Sequence, residues 1–305
     1  MRCLVTGGAG FIGSHLVTAL HASHDVIVLD NLSTGLKSNV PKGVTFRQGH
    51  AGDSVMLDEV LPGCECIFHL AAVSSVQASL DHPISVNDDN LNATLNLLEA
   101  AKKHKVKRFV FSSSASIYGD TNGVPAHEDM TPNPMSHYAV QKIASEYYCR
   151  VYARVHGLET VSLRYFNIFG LRQRSDSPYS GVIAKYIEAV RAGRFLTIYG
   201  DGSQTRDFCG VADVVSANIA AAFHSADKIA GKVFNIGSGK SVSIIDLLNT
   251  ISDIFPAMPQ PIYTAARAGE IQHSRADISL ATTILGYQPA VSFKTGIRDL
   301  ASTLK

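Results

Sequence analysis

The eight residues Thr6-Gly7-Gly8-Ala9-Gly10-Phe11-Ile12-Gly13 constrain this chain more than any other stretch. They follow a short apolar run, Arg2 to Thr6, and open a helical pattern from Ile12 to His21, so the glycines sit on a strand-to-helix turn. Gly7, Gly10 and Gly13 answer three steric demands: a tight turn, a close backbone approach to a phosphate, and tight packing of helix on strand. A helix that begins there presents unpaired N–H groups and a positive dipole end, which suits a pyrophosphate. Asp30 closes the next apolar run, 23 residues beyond Gly7, in the place of an acid that binds an adenosine ribose. Its charge repels a 2′-phosphate, so the site reads as one for NAD rather than NADP.

The first half of the chain continues the same alternation. Val26 to Leu29, Ile67 to Leu70 and Arg108 to Ser112 read as strands, with a helix from Asn87 to His104 between the last two. That order implies βαβ units, and runs as apolar as Val26-Ile27-Val28-Leu29 are those of strands covered on both faces. The predicted fold is α/β: a doubly wound parallel (Rossmann) sheet with a smaller C-terminal α/β substrate domain. After the strand Thr160 to Tyr165, Gly, Ser, Pro and Arg cluster from Gly170 to Gly181, which places a boundary near Asn167. Residues 1–166 are assigned to the nucleotide domain. Residues 210–237 return to it, through a helix from Val211 to Phe223 and a strand from Lys232 to Ile236, and 167–209 with 238–305 make the substrate domain.

Composition excludes several functions. Over 305 residues, 46% apolar against 17% charged supplies a large core and rules out a disordered chain. With 27 basic and 26 acidic residues, no basic block and no Trp, neither nucleic acid nor an anionic membrane is an expected partner. No apolar run approaches the roughly 18 residues of a membrane span, and the chain enters its first strand without a signal-peptide pattern. A soluble, cytoplasmic protein is the expectation. Cys3, Cys64, Cys66, Cys149 and Cys209 have neither the spacing nor the His neighbours of a metal site, and no metal is expected.

Tyr138 and Lys142 lie four apart in a helix expected from Met135 to His156, hence on one face. An ammonium beside a phenol disfavours the protonated phenol, so the pair predicts a Tyr138 pKa lowered toward neutral and a base for proton abstraction. Ser112 to Gly119, reading Ser-Ser-Ser-Ala-Ser-Ile-Tyr-Gly, follows a strand's C-terminal end, where open α/β sheets bind ligands. It offers Ser114 to a reacting hydroxyl, although so hydroxyl-rich a run also suits a polar loop capping the next element.

These segments together resemble the extended short-chain dehydrogenase/reductase family and, within it, the UDP-galactose and UDP-N-acetylhexosamine 4-epimerases. The likeness runs over nearly the whole chain, through Asp30–Gly35 (DNLSTG), His69–Ala72 (HLAA), Phe111–Gly119, Leu163–Gly170 (LRYFNIFG), Gly200–Phe208 (GDGSQTRDF) and Asn235–Gly239 (NIGSG). The resemblance implies Tyr138 as the base, Lys142 on the nicotinamide ribose and Ser114 on the sugar 4-hydroxyl. NAD would be held by Gly7, Gly10, Phe11, Ile12, Gly13, Asp30, Asn31, Ser33, Thr34, Gly35, Leu70, Ala71, Ala72 and Ser112 together with Tyr138 and Lys142. A UDP-sugar would meet Ser75, Ser114, Ser116 and Tyr138, with Asn167, Arg206 and Arg267 at its pyrophosphate. Tyr199 and the Val182 region would contact the base, and Glu270 the ribose. Guanidinium forks suit such phosphates because they bond them bidentately. The implied reaction oxidises C4, lets the 4-keto sugar turn over and reduces it from the opposite face.

Departures sharpen the reading. His50 stands where the family usually has an Asp at the adenine, and Ala115 and Ser116 supply no acid of the kind a 4,6-dehydratase needs. Ser274 matches the family's gate position, where a small residue leaves space for an N-acetyl group. UDP-N-acetylhexosamines are therefore favoured, with UDP-glucose and UDP-galactose also accommodated. Arg172-Gln173-Arg174 is similar to a segment of UDP-glucuronate 4-epimerases in which the second Arg meets the sugar carboxylate, so that activity is the alternative. A non-catalytic NAD-binding regulator is a further one. By the same resemblance a homodimer is expected, with Leu95, Leu98, Tyr147 and Val151 offered to a contact between helices.

Overall fold

The computed structural model describes residues 1–174, 181–266 and 271–303. Its first half runs β1 (Arg2–Thr6), α1 (Phe11–His21), β2 (Asp25–Asp30), β3 (Thr45–Gln48), α2 (Ser54–Val60), β4 (Cys66–His69), α3 (Val76–Asp81), α4 (Pro83–Asn87), α5 (Ala93–Lys103), β5 (Arg108–Ser114), α6 (His137–His156) and β6 (Glu159–Tyr165). The second half adds β7 (Asn167–Phe169), α7 (Val182–Arg191), β8 (Thr197–Tyr199), β9 (Thr205–Arg206), β10 (Phe208–Gly210), α8 (Val211–Phe223), α9 (Ala226–Ile229) and β11 (Lys232–Ile236). It closes with β12 (Val242–Ser243), α10 (Ile244–Ile254), β13 (Ile262–Thr264), α11 (Ser279–Leu285) and α12 (Phe293–Thr303).

Seven strands form one sheet in the order β11-β6-β5-β4-β1-β2-β3, and every pairing in it is parallel. Alternation along β1 sends Cys3 and Val5 into one core with α1 and α8, and Leu4 into the other with Leu57, Leu97 and Leu98. Both faces are thus covered, which is why the strands carry few polar residues until their C-terminal ends. The strand order reverses between β1 and β4, the place where ligands bind in such sheets. Beyond it, Phe169, Ile187, Ile198, Phe208, Leu247 and Leu300 make a separate core for the second half. Among the described residues no helix is long and apolar enough to cross a membrane.

The helix expected over Asn87–His104 is not one α-helix. α4 and α5 are joined by a π turn, Asp88–Asn92, which periodicity alone reads as continuous helix. β5 extends to Ser114, two residues beyond its expected end. α6 begins at His137 because Ser136 caps it, its hydroxyl accepting from the Ala139 N–H at 3.2 Å, and it ends at Gly157 in the left-handed conformation.

Candidate active site

The glycine turn between β1 and α1 is packed beyond the tolerance of any side chain. A Cβ on Gly13 would lie 2.1 Å from the Gly7 carbonyl oxygen, and one on Gly7 would lie 2.7 Å from the Ala71 nitrogen. Asp30 braces this turn, accepting from the Ala9 N–H at 2.9 Å and the Leu32 N–H at 2.8 Å. A cavity of about 560 Å³ runs from there across the strand ends. It is lined by Gly7, Gly10, Phe11, Ile12, Gly13, Asp30, Asn31, Ser33, Thr34, Leu70, Ala71, Ala72, Ser112, Tyr138 and Lys142. Gly35 stays outside it and packs on the backbone of Ala9. A bare-backbone cradle at one end and a phenol with an ammonium at the other fit an extended dinucleotide.

At the far end α6 presents Tyr138 and Lys142 one turn apart, both buried. The Lys142 ammonium donates to the Ser112 carbonyl at 2.7 Å and lies 5.8 Å from the centre of the Tyr138 ring. Burial brings its pKa down to about 8, with Glu146, one further turn along α6, acting in the opposite sense. The expected lowering of the Tyr138 pKa is corrected here: burial raises the phenol, and the nearby Ser114 hydroxyl opposes the rise. Desolvation of the phenolate outweighs an ammonium already engaged by a carbonyl. Behind these residues Glu146 holds the Ser113 hydroxyl at 2.5 Å and takes Arg164 bidentately at 2.9 and 2.7 Å. That buried ion pair clamps the end of β5 against α6.

A second cavity, about 320 Å³, shares Ser114, Ser116, Tyr165, Phe166 and Asn167 with the first and adds Arg206, His273, Ser274 and Arg275. Ser114, Ser116, Asn167, Arg206 and Ser274 thus come together in a cavity that adjoins the one holding Tyr138. The Ser116 hydroxyl is buried without a hydrogen-bond partner. Val182, at the start of α7, lines the first cavity instead. Three of the expected residues line neither cavity. Ser75 lines neither cavity: its hydroxyl caps α3, accepting from the Ala78 N–H at 2.9 Å. Tyr199 also lines neither, its carbonyl accepting from the Gln204 side chain at 2.8 Å. Arg174 donates to the Thr34 carbonyl at 3.2 Å, on the nucleotide side. Arg267 and Glu270 lie outside the described residues.

Sequence reasoning passed over Asp207 and the pairing of His50 with Asp89. Asp207, fully buried between β9 and β10, accepts from the N–H groups of Ser238, Gly239 and Ala276 and so ties the Asn235–Gly239 loop to the strip that carries Ser274. His50 and Asp89 both line the first cavity and pair at 2.9 Å. The Gly200–Phe208 segment contained Asp207, but only the fold shows what it binds.

The profile of the NAD dependent epimerase/dehydratase family matches residues 3–237. The chain is 38% identical over 305 residues to the UDP-glucose 4-epimerase of Mycolicibacterium smegmatis, covering 97% of this chain and 96% of that protein. Among solved structures it is similar to the UDP-N-acetylglucosamine 4-epimerase of Methanobrevibacter ruminantium in complex with UDP-N-acetylmuramic acid, at 38% identity, TM-score 0.93 and coverage of 99% and 97%. The UDP-glucose 4-epimerase of Thermus thermophilus, in complex with NAD, matches at 37% identity, TM-score 0.90 and coverage of 99% and 98%. The chain belongs to the NAD dependent epimerase/dehydratase family.

Proposed function

We propose that this protein interconverts UDP-hexoses epimeric at C4, with NAD as its cofactor. One observation carries the reading: Ser114 lines both the cofactor cleft and the second cavity, and Tyr138 lines the cleft with it. A sugar in the second cavity therefore reaches, past Ser114, the cleft that holds its proton acceptor. Tyr138 takes the C4 hydroxyl proton as that carbon becomes a ketone and returns it when the other epimer forms. Bound NAD supplies a reversible two-electron acceptor and a positive charge that favours the phenolate. Lys142 and the glycine turn hold the dinucleotide, Asn167 and Arg206 the pyrophosphate of the sugar nucleotide. The unpartnered Ser116 hydroxyl suits a sugar hydroxyl that bonds it on binding. Ser274 in the outer wall supports UDP-N-acetylhexosamines beside UDP-glucose and UDP-galactose.

The α6 residues Val140, Tyr147, Val151 and Val155 are exposed, and this apolar stripe supports a homodimer built on that helix. Leu98, also expected in such a contact, is instead buried in the core under the sheet. Five buried, unpaired cysteines suit a reducing, cytoplasmic setting.

The test is direct. UDP-N-acetylglucosamine, UDP-glucose and UDP-glucuronate are incubated separately with the protein and NAD, and the C4 epimers are resolved by proton NMR. Turnover of the first two is expected, and Tyr138→Phe should lower it about a thousandfold with an unchanged melting temperature. Near-normal turnover by that variant would remove Tyr138 from the reaction, and turnover of UDP-glucuronate alone would replace the substrate class.

A further inference from the structure

Two segments distant in sequence meet at the wall of the cofactor cleft. The turn after β3 brings His50 to the cavity, and the π turn before α5 brings Asp89 to it. A π turn rotates the residues it carries relative to a regular helix, a device often found at functional sites. The turn after β3 is docked tightly on α5: a Cβ on Gly52 would lie 2.8 Å from the Ala93 Cα, and the Gly52 carbonyl accepts from the Asn96 side chain at 3.0 Å.

His50 is fully engaged by this arrangement. Its Nδ1 accepts from the Gly52 N–H at 3.1 Å, which leaves the ring proton on Nε2, and Nε2 donates to Asp89 Oδ1 at 2.9 Å. Neither ring nitrogen remains for a ligand. Asp89 keeps its second carboxylate oxygen, and its side chain is 39% exposed. Asp30 marks the adenosine ribose, and its partner across the sheet is Gln48, the last residue of β3. The base must lie beyond that ribose, over the end of β3, where Gly49, His50, Ala51 and Asp89 form the lining.

We propose that Asp89, held in position by His50, accepts a hydrogen bond from the exocyclic amine of the adenine of NAD and so selects this base. The inference rests on the assignment of NAD as cofactor. A carboxylate, an acceptor only, attracts an amine and repels a carbonyl at the same place.

The test compares NAD with nicotinamide hypoxanthine dinucleotide, in which a carbonyl replaces the amine. The protein is equilibrated with an equimolar mixture, and the nucleotide released on denaturation is quantified by chromatography, independently of turnover. The wild type is expected to hold about tenfold more NAD, the value of one hydrogen bond to a charged acceptor. Asp89→Ala should bring the ratio to about one. Asp89→Asn, whose amide can donate to the carbonyl, should turn the preference toward the analogue. His50→Gln, which keeps a donor to Asp89, should retain more of the preference than His50→Ala. Equal binding by the wild type, or a preference that survives Asp89→Ala, overturns the inference alone. Binding of neither nucleotide overturns the NAD assignment as well, and this inference with it.

Discussion

Ser274 stands in the wall of the second cavity with its N–H bonded to the Thr205 carbonyl at 3.2 Å, so its position is set by backbone and its side chain sets only volume. Ser274→Tyr is expected to lower kcat/KM for UDP-N-acetylglucosamine about a hundredfold while UDP-glucose changes little, because steric exclusion in one pocket is worth about that much. Unchanged discrimination in a paired kinetic assay would take the gate away from this residue. At this scale the sequence was most legible where chemistry is local. Gly7, Gly10, Gly13 and Asp30 lie on one turn and the strand beside it, and Tyr138 and Lys142 on one helical face, so spacing alone brought each set together. The Tyr138 pKa was misjudged because spacing reports neighbours and not burial. The pairing of His50 with Asp89 joins residues 39 positions apart through the packing of Gly52 on Ala93, which no local pattern contains.

Among the elements, the β1–α1 junction is the least forgiving. The Cβ of Gly13→Ala meets backbone of Gly7 and Gly8 rather than a flexible side chain, so strand and helix must move apart. Loss of about 3 kcal/mol is expected, at the upper end of overpacking costs, together with loss of bound NAD. Urea unfolding and the nucleotide content of the purified variant measure both, and an unchanged midpoint would show that the turn can relax. Helix and strand types were readable through most of the first half because the parallel strands are apolar throughout and the helices periodic. β3 was not legible in the hydrophobic pattern: its residues, Thr45-Phe46-Arg47-Gln48, sit at the sheet edge and are only partly buried or exposed, so no apolar run announces them. The π turn was missed because it preserves the apolar stripe of the helix it interrupts.

For the whole molecule, the exposed stripe on α6 lies on the helix whose opposite face carries Tyr138 and Lys142. If two copies meet there, Tyr147→Glu with Val151→Glu should convert a dimer into a monomer in light scattering at micromolar concentration, since a buried unpaired carboxylate is costly. A wild-type protein that is already monomeric would refute the contact. The parallel sheet was legible from the alternation of elements, though its strand order was not, and the second half, assembled from the short strands β7 to β10, β12 and β13, was legible only as a change in character.

The strip Ile271–Arg275 is anchored in large part by its main chain. The Gln272 carbonyl receives the Thr205 N–H at 2.9 Å, the Ser274 N–H reaches the Thr205 carbonyl, and the Arg275 carbonyl receives the Ala126 N–H at 2.8 Å. Amide bonds of this kind survive a change of side chain. Mutation along this strip is therefore expected to redraw the sugar that is admitted without disturbing Tyr138, Lys142 or the β1–α1 turn, which belong to other elements. On that reading a lineage carrying this architecture would exchange one nucleotide sugar for another by drift in a few neighbouring codons, while its proton-transfer chemistry is inherited intact.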